Sequence, residues 1–186
     1  RSYILAEGET GLFIVDQHAA HERILFEQFL SQSKRGPLPS QRLLFPTTVD
    51  LSPAEMETVS NAVDVFRRLG LEVEEFGPNT CAIRSIPSDL NMESAEEFLH
   101  DLLAEIENEG NTTEKTERAL HTLACRAAVK FGDPLDRQTM QNIIDRLREV
   151  PRRDFCPHGR PAVVHLSDEA LRKVFRREIG RASCRE

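Results

Sequence analysis

Residues 12–31 read LFIVDQHAAHERILFEQFLS, and this stretch decides the fold class. Leu12–Val15 is uniformly apolar, the composition of a strand covered on both faces. Asp16 and Gln17 then lead into a helical stretch, Ala19–Ser31, whose apolar surface comes largely from Ile24, Phe26, Phe29 and Leu30. A strand passing directly into a helix is α/β construction, and the junction is where such folds commonly present ligand groups. Upstream, Tyr3–Ala6 reads as a second strand. Gly8, Glu9, Thr10 and Gly11 supply the turn between the two strands, which therefore form a hairpin.

Downstream, Ser33–Ser40 (SKRGPLPS) is loop chemistry, and Thr47–Leu51 is a short strand. Ser52, Pro53 and Glu55 stand at the N-cap, first and third positions of a helix that runs to about Leu69 and stops at Gly70. Leu71–Phe76 and Thr80–Ile86 are strands joined by the turn Gly77-Pro78-Asn79. Helices follow from a Ser94 cap to Ile106, where Gly110-Asn111 ends the segment, from Glu114 to Phe131, and from Asp136 or Arg137 to near Val150. The chain closes with a loop, Arg152–Pro161, a strand, Ala162–Leu166, and a Ser167-capped helix to about Glu178. Residues 180–186 carry no pattern. The expected class is α+β in two subdomains. An outer one comes from residues 1–45 and 117–186, and a smaller one, 46–116, is inserted into it.

Charge follows the same division. Of the 186 residues, 46–116 hold 16 acids and 4 bases, 1–45 hold 5 of each, and 117–186 hold 10 acids and 15 bases, for a net charge of −7. The acidic middle repels a phosphate backbone and the basic end tolerates one, which argues against tight autonomous nucleic-acid binding. No apolar run is long enough for a transmembrane helix, and no basic and apolar leader opens the chain. The expected compartment is therefore the reducing cytoplasm, with no membrane partner. There the four cysteines are more often buried, metal-bound or catalytic than bridged.

Three clusters carry candidate chemistry. His18 and Glu22 are four residues apart and share a helix face if the helix begins by His18, so an imidazole and a carboxylate can meet one divalent ion. Asp16 stands beside them; Glu27 points elsewhere and reads as scaffold. In Cys156-Pro157-His158, residues two apart in an extended loop point the same way, so a thiolate and an imidazole converge, with Arg160 a cation that could meet phosphate. Cys125 lies on the long helix, with His121 one turn earlier as a rival ligand. Each cluster also has a plain reading: a core cysteine, a surface His-Glu pair, an aspartate that caps a helix. Gln41-Arg42-Leu43-Leu44-Phe45-Pro46 has two readings as well. It is either an edge strand with Leu43, Leu44 and Phe45 in the core, or a short docking peptide with apolar anchors.

These residues carry a family pattern. Asp16–Glu27 (DQHAAHERILFE) fits D-Q-H-A-x2-E-x4-E, Ala124-Cys125-Arg126 fits A-C-[RK], Cys156–Pro161 fits C-P-H-G-R-P, and Gln41–Pro46 resembles the sliding-clamp docking motif Q-x-L-L-x-P. With four motifs in order, the chain resembles the C-terminal domain of the MutL family of DNA mismatch-repair proteins, in its bacterial endonuclease branch. The resemblance implies a dimerising outer subdomain, an inserted regulatory subdomain, and a metal-dependent endonuclease that nicks a DNA strand during repair. It carries a metal site over to Asp16, His18, Glu22, Cys125, Cys156 and His158.

Asp16 and Glu22 are then the catalytic carboxylates. The softer ligands suit zinc in a structural or regulatory role, and manganese, a harder ion, supports nicking. Gln41, Leu43, Leu44 and Pro46 would bind the replication sliding clamp, and Arg160 would contact DNA. The mismatch-recognition protein MutS and a second copy of the chain complete the implied partners. The dimer face is expected on the strands Tyr3–Ala6, Leu12–Val15 and Ala162–Leu166. The competing reading is a non-catalytic dimerisation module whose zinc is purely structural. Sequestration of metal has little support, because no short His- or Cys/His-rich tract exists.

Overall fold

The structure, a computed structural model, describes residues 2–92, 95–106 and 110–177. It is an α+β arrangement of helices with two small antiparallel sheets, and the chain divides into two compact units, residues 1–20 with 130–186, and residues 21–129.

The first unit is built on a sheet of β1 (Tyr3–Gly8), β2 (Gly11–Asp16) and β6 (Val163–Ser167), with β2 in the centre. The hairpin register runs from Tyr3 opposite Asp16 to Gly8 opposite Gly11, and β6 pairs Ser167 with Gly11 through Val163 with Val15. Gly11 has φ 141°, and a Cβ there would stand 2.2 Å from the Leu166 carbonyl oxygen. Only glycine allows β6 to approach β2 so closely. The expectation that Leu12–Val15 is covered on both faces holds for Val15, which is buried; Leu12, Phe13 and Ile14 are half-buried. Leu5, Ile14 and Val164 are paired across the three strands, so they share one face, and on it Leu5 is 65% exposed. The unit's helices are α6 (Arg137–Glu149), capped by Asp136, which accepts from the Thr139 N–H at 2.6 Å, and α7 (Asp168–Val174), capped by Ser167. The final helix stops at Val174 rather than near Glu178, and the unpatterned 180–186 stretch lies outside the described residues.

Helix α1 (Gln17–Ser33) begins in the first unit and continues into the second. There a sheet of β3 (Ser40–Asp50), β5 (Thr80–Pro87) and β4 (Glu72–Gly77) is packed with α2 (Pro53–Asn61), α3 (Val63–Leu69), α4 (Ala95–Ile106) and α5 (Thr112–Ala127) around one apolar core. In α4 the buried residues Phe98, Leu99, Leu102, Leu103 and Ile106 repeat at helical spacing. Each buried leucine or phenylalanine of this kind contributes about 1.5–3 kcal/mol. Ser52 caps α2 in a reciprocal capping box with Glu55, as its sequence implies.

Several boundaries differ from expectation. The helix expected over residues 53–69 is two helices. It breaks at the buried Ala62 (φ −104°, ψ 10°), so that Met56 and Val59 on one side and Val65, Phe66 and Leu69 on the other all reach the core. No proline or glycine marks that break, which packing imposes. Helix α5 begins at Thr112 because Asn111 and Glu114 form a second capping box, and it ends at Ala127. Asn111 thus starts one helix rather than ending another. The expected Ser94 cap lies outside the described residues.

The expected boundaries at 45/46 and 116/117 also move, to 20/21 and 129/130. The apolar residues of α1 (Leu25, Phe26, Phe29) and of α5 (Ala119, Leu120, Leu123, Ala124) belong to the same core as α2, α3 and α4. Charge balance does not register burial, and burial sets the division. Among the described residues, no helix is long and apolar enough to cross a membrane.

Candidate metal centre

The start of α1 is held by the residues of the D-Q-H-A motif. Asp16 is the cap: its Oδ1 accepts the Ala19 N–H at 2.9 Å, while its own N–H donates to the Ala162 carbonyl at 2.9 Å. Gln17, 2% exposed, donates from Nε2 to the carbonyls of Lys130 (3.1 Å) and Asp133 (3.0 Å). Reading the motif for ligands missed this tie. A glutamine amide at the first position of a helix, where its two donors can bridge carbonyls of a distant turn, is the only signal for it. Ala19 then packs with Cys156, Ala162 and Val163 in a small buried cluster.

The loop carrying Cys156 is tightly made. The Cys156 N–H donates to the Arg160 carbonyl at 2.8 Å, the Gly159 N–H to the Cys156 carbonyl at 2.9 Å, and the Ala162 N–H to the Asp154 carbonyl at 2.8 Å. Gly159 sits at φ 81°, a left-handed conformation that favours glycine and closes the turn. Cys156 is 1% exposed, while His158 and Arg160 are exposed on the same loop.

Glu22 follows Ala19 by three residues on α1 and is 3% exposed. A carboxylate, a thiolate and an imidazole are the donor types that zinc and related divalent ions take. Burying a carboxylate is costly unless its charge is balanced.

Asp16 spends one oxygen on the helix cap, His18 lies on the first turn of α1, and Cys125 is half-buried near the end of α5. The rival His121 packs edge-on against the Phe26 ring, with centroids 4.1 Å apart. His21 accepts the Val129 N–H on Nδ1 at 3.1 Å. Glu27 is scaffold, as read: it pairs with Arg23 one turn earlier at 3.0 Å.

Gln41–Pro46 divides between its two readings. Leu43 enters the core, whereas Leu44 (86% exposed) and Phe45 (80%) stand outside it, and Pro46 is exposed too. The ladder from β3 to β5 loses register between Arg42 and Thr47, and this bulge turns the apolar pair outward. Gln41 donates to the Leu90 carbonyl at 3.1 Å, which anchors the segment's start.

The family model described as "MutL C terminal dimerisation domain" matches residues 1–135. Among relatives, the chain is 37% identical over 183 residues to the DNA mismatch repair protein MutL of Symbiobacterium thermophilum, covering 95% of this chain and 29% of that protein. To the MutL of Methanothrix thermoacetophila it is 39% identical over 177 residues, covering 94% and 31%. To that of Heliobacterium modesticaldum it is 40% identical over 182 residues, covering 95% and 27%. The chain spans less than a third of the length of these relatives. With the match extending over the hairpin, α1, the second sheet and α5, the chain belongs to the MutL C-terminal dimerisation domain family.

Proposed function

We propose that this chain is a metal-dependent endonuclease that hydrolyses a phosphodiester bond of DNA and so nicks one strand during mismatch repair. The observation that carries the reading is the meeting of two motifs more than a hundred residues apart: Ala19 of the D-Q-H-A stretch packs with Cys156 of the Cys-Pro-His-Gly-Arg-Pro loop, on which His158 is exposed. Cys156 and His158 would hold zinc, with Cys125 and His18 completing the softer set, and Glu22 and Asp16 would be the carboxylates that hold manganese. A bound divalent ion would activate water and neutralise the charge developing on the phosphoryl oxygens. The protein's own work is to position these side chains. Gln17 and Asp16 fix the start of α1, the stiff Cys-Pro-His-Gly-Arg-Pro loop presents thiol and imidazole together, and Asp16 and Glu22 accept or steer the proton of the attacking water. Arg160, exposed on the same loop, meets a backbone phosphate.

The exposure of His158 favours this reading over a purely structural zinc, whose ligands close the ion off from solvent. The partners follow from surfaces. The outward Leu44 and Phe45 are anchors for the sliding clamp. The apolar strip of Leu5, Ile14 and Val164 is the face a second copy of the chain covers. MutS is the mismatch-recognition partner that the family membership suggests.

The test is metal content together with nicking of supercoiled plasmid. Glu22→Gln is expected to abolish manganese-dependent nicking while the chain stays folded and dimeric. Cys156→Ser is expected to lose bound zinc. Zinc binding unchanged in Cys156→Ser, or nicking intact in Glu22→Gln, would overturn the assignment.

A further inference from the structure

At the far end of α1 from Glu22 the surface opens into a cleft of about 610 Å³ lined by Ser33, Lys34, Arg35, Asp64, Arg67 and Arg68. Residues 21–129 hold 19 acids and 10 bases, and four of those ten bases lie here. All four are exposed. Among the described residues Asp64 is the only acid in the lining, where it pairs with Arg67 at 3.1 Å, and Lys34, Arg35 and Arg68 are in no ion pair. The cleft is ordered by the backbone. The Arg35 N–H donates to the Gln32 carbonyl at 2.8 Å, and the Leu38 N–H donates to the Arg68 carbonyl at 2.9 Å, which ties the loop after α1 to the end of α3.

A simple structural account of some of these bases exists: cations in the last turn of a helix favour that helix. That account explains Arg67 and Arg68, which sit in the last turn of α3. It does not explain why the loop after the other helix adds two more cations to the same concavity, in a unit with almost twice as many acids as bases.

We infer that this cleft is a phosphate anchor for the DNA backbone, set at a fixed distance from the candidate metal centre. Helix α1 is the ruler. From Glu22 to Ser33 it advances eleven residues, about 16 Å at ~1.5 Å per residue. A DNA strand advances ~3.4 Å per nucleotide, so the two ends of α1 match phosphates about five nucleotides apart. A duplex laid along α1 would place the phosphate to be cleaved at its N-terminal end. A second phosphate would then lie among Lys34, Arg35, Arg67 and Arg68. The direction of the DNA rests on the endonuclease reading; the binding of phosphate by the cleft does not.

The experiment measures the affinity of a fluorescent DNA duplex for the whole chain over a series of salt concentrations. It compares Lys34→Ala with Arg35→Ala, Arg67→Ala with Arg68→Ala, and the four changes together. The four residues are exposed, so the variants should keep the circular dichroism of the parent. Each base taken away from a phosphate should make the log-affinity against log-salt slope shallower by ~0.9, and the fourfold variant should bind at least ~10-fold more weakly at low salt. Arg84→Ala, which removes a half-buried cation of the same unit that pairs with Glu74, should change neither. Glu22→Gln should keep the parent slope while losing nicking, which separates the two proposals. If the parent never nicks but the slope still falls in the cleft variants, the endonuclease reading fails and the anchor stands. A fourfold variant with the parent's affinity and slope overturns the anchor. So does one that keeps DNA affinity but loses binding to a polyglutamate peptide, which would mark the cleft as a site for an acidic protein.

Discussion

Replacing Gln17 by alanine isolates what holds the start of α1 in place. The side chain is 2% exposed, and its two amide N–H groups go to the Lys130 and Asp133 carbonyls at 3.1 and 3.0 Å. Two such bonds are worth about 1–3 kcal/mol net, and the buried methylene removed adds ~0.8 kcal/mol, for a loss of about 2–4 kcal/mol. At roughly 2–4 °C per kcal/mol for a chain of this size, the melting temperature should fall by about 4–16 °C. Urea unfolding followed by circular dichroism reads the loss directly. Zinc affinity should fall with it, because the first turn of α1 carries Ala19 against Cys156. Gln17→Glu should be worse near neutral pH, since a carboxylate would face two carbonyl oxygens. Its folded-state pKa would be raised, so stability returns as pH drops and the carboxyl takes up a proton. If Gln17→Ala changed stability by less than about 0.5 kcal/mol yet abolished nicking, the glutamine would act on substrate or metal, and its positioning role would be wrong.

Other expectations are shorter. Leu44→Ala and Phe45→Ala remove exposed side chains, so stability should stay within about 0.5 kcal/mol while affinity for the sliding clamp, measured by surface plasmon resonance, falls sharply. Leu102→Ala, in the fully buried stripe of α4, should cost about 2–5 kcal/mol in urea unfolding. The Ser52 hydrogen bonds hold the Glu55 carboxyl below its ordinary value of 4.5. The stabilisation is therefore complete above that value and lost as pH falls through the lower folded-state pKa, so the stability gap between the parent and Glu55→Gln should narrow in acid. Burial pushes the Cys81 thiol up to about 11, so at pH 8 it should resist iodoacetamide in peptide mass mapping until the chain is unfolded.

Much of the architecture was legible because it rests on local chemistry. Ser52, Asp136 and Ser167 cap helices as their side chains require. The Gly8–Gly11 turn makes a hairpin, and the turn Gly77-Pro78-Asn79 joins residues 71–76 and 80–86 as a strand pair. The break at Ala62 was not legible, since an alanine signals continuation and only the shape of the core demands a bend. Nor was the fate of Leu43, Leu44 and Phe45. Three consecutive apolar residues look alike until a bulge sends one inward and two outward. In the candidate site, the residue types and the two motifs were plain in the chain. The roles of Gln17, as a tie to a turn more than a hundred residues away, and of His121, as packing against Phe26, were not.

The order of residues was enough to name the family, several of the helix starts and the donor groups that a cation would need, because caps, turns and motifs act over a few positions. It could not say which motifs meet. The D-Q-H-A stretch and the Cys156–His158 loop meet where Ala19 packs against Cys156, an alignment across more than a hundred residues of intervening chain. Nor could it place the boundary between the compact units. That follows from which apolar faces bury one another, and the chain's charge, which suggested a different division, has no part in it.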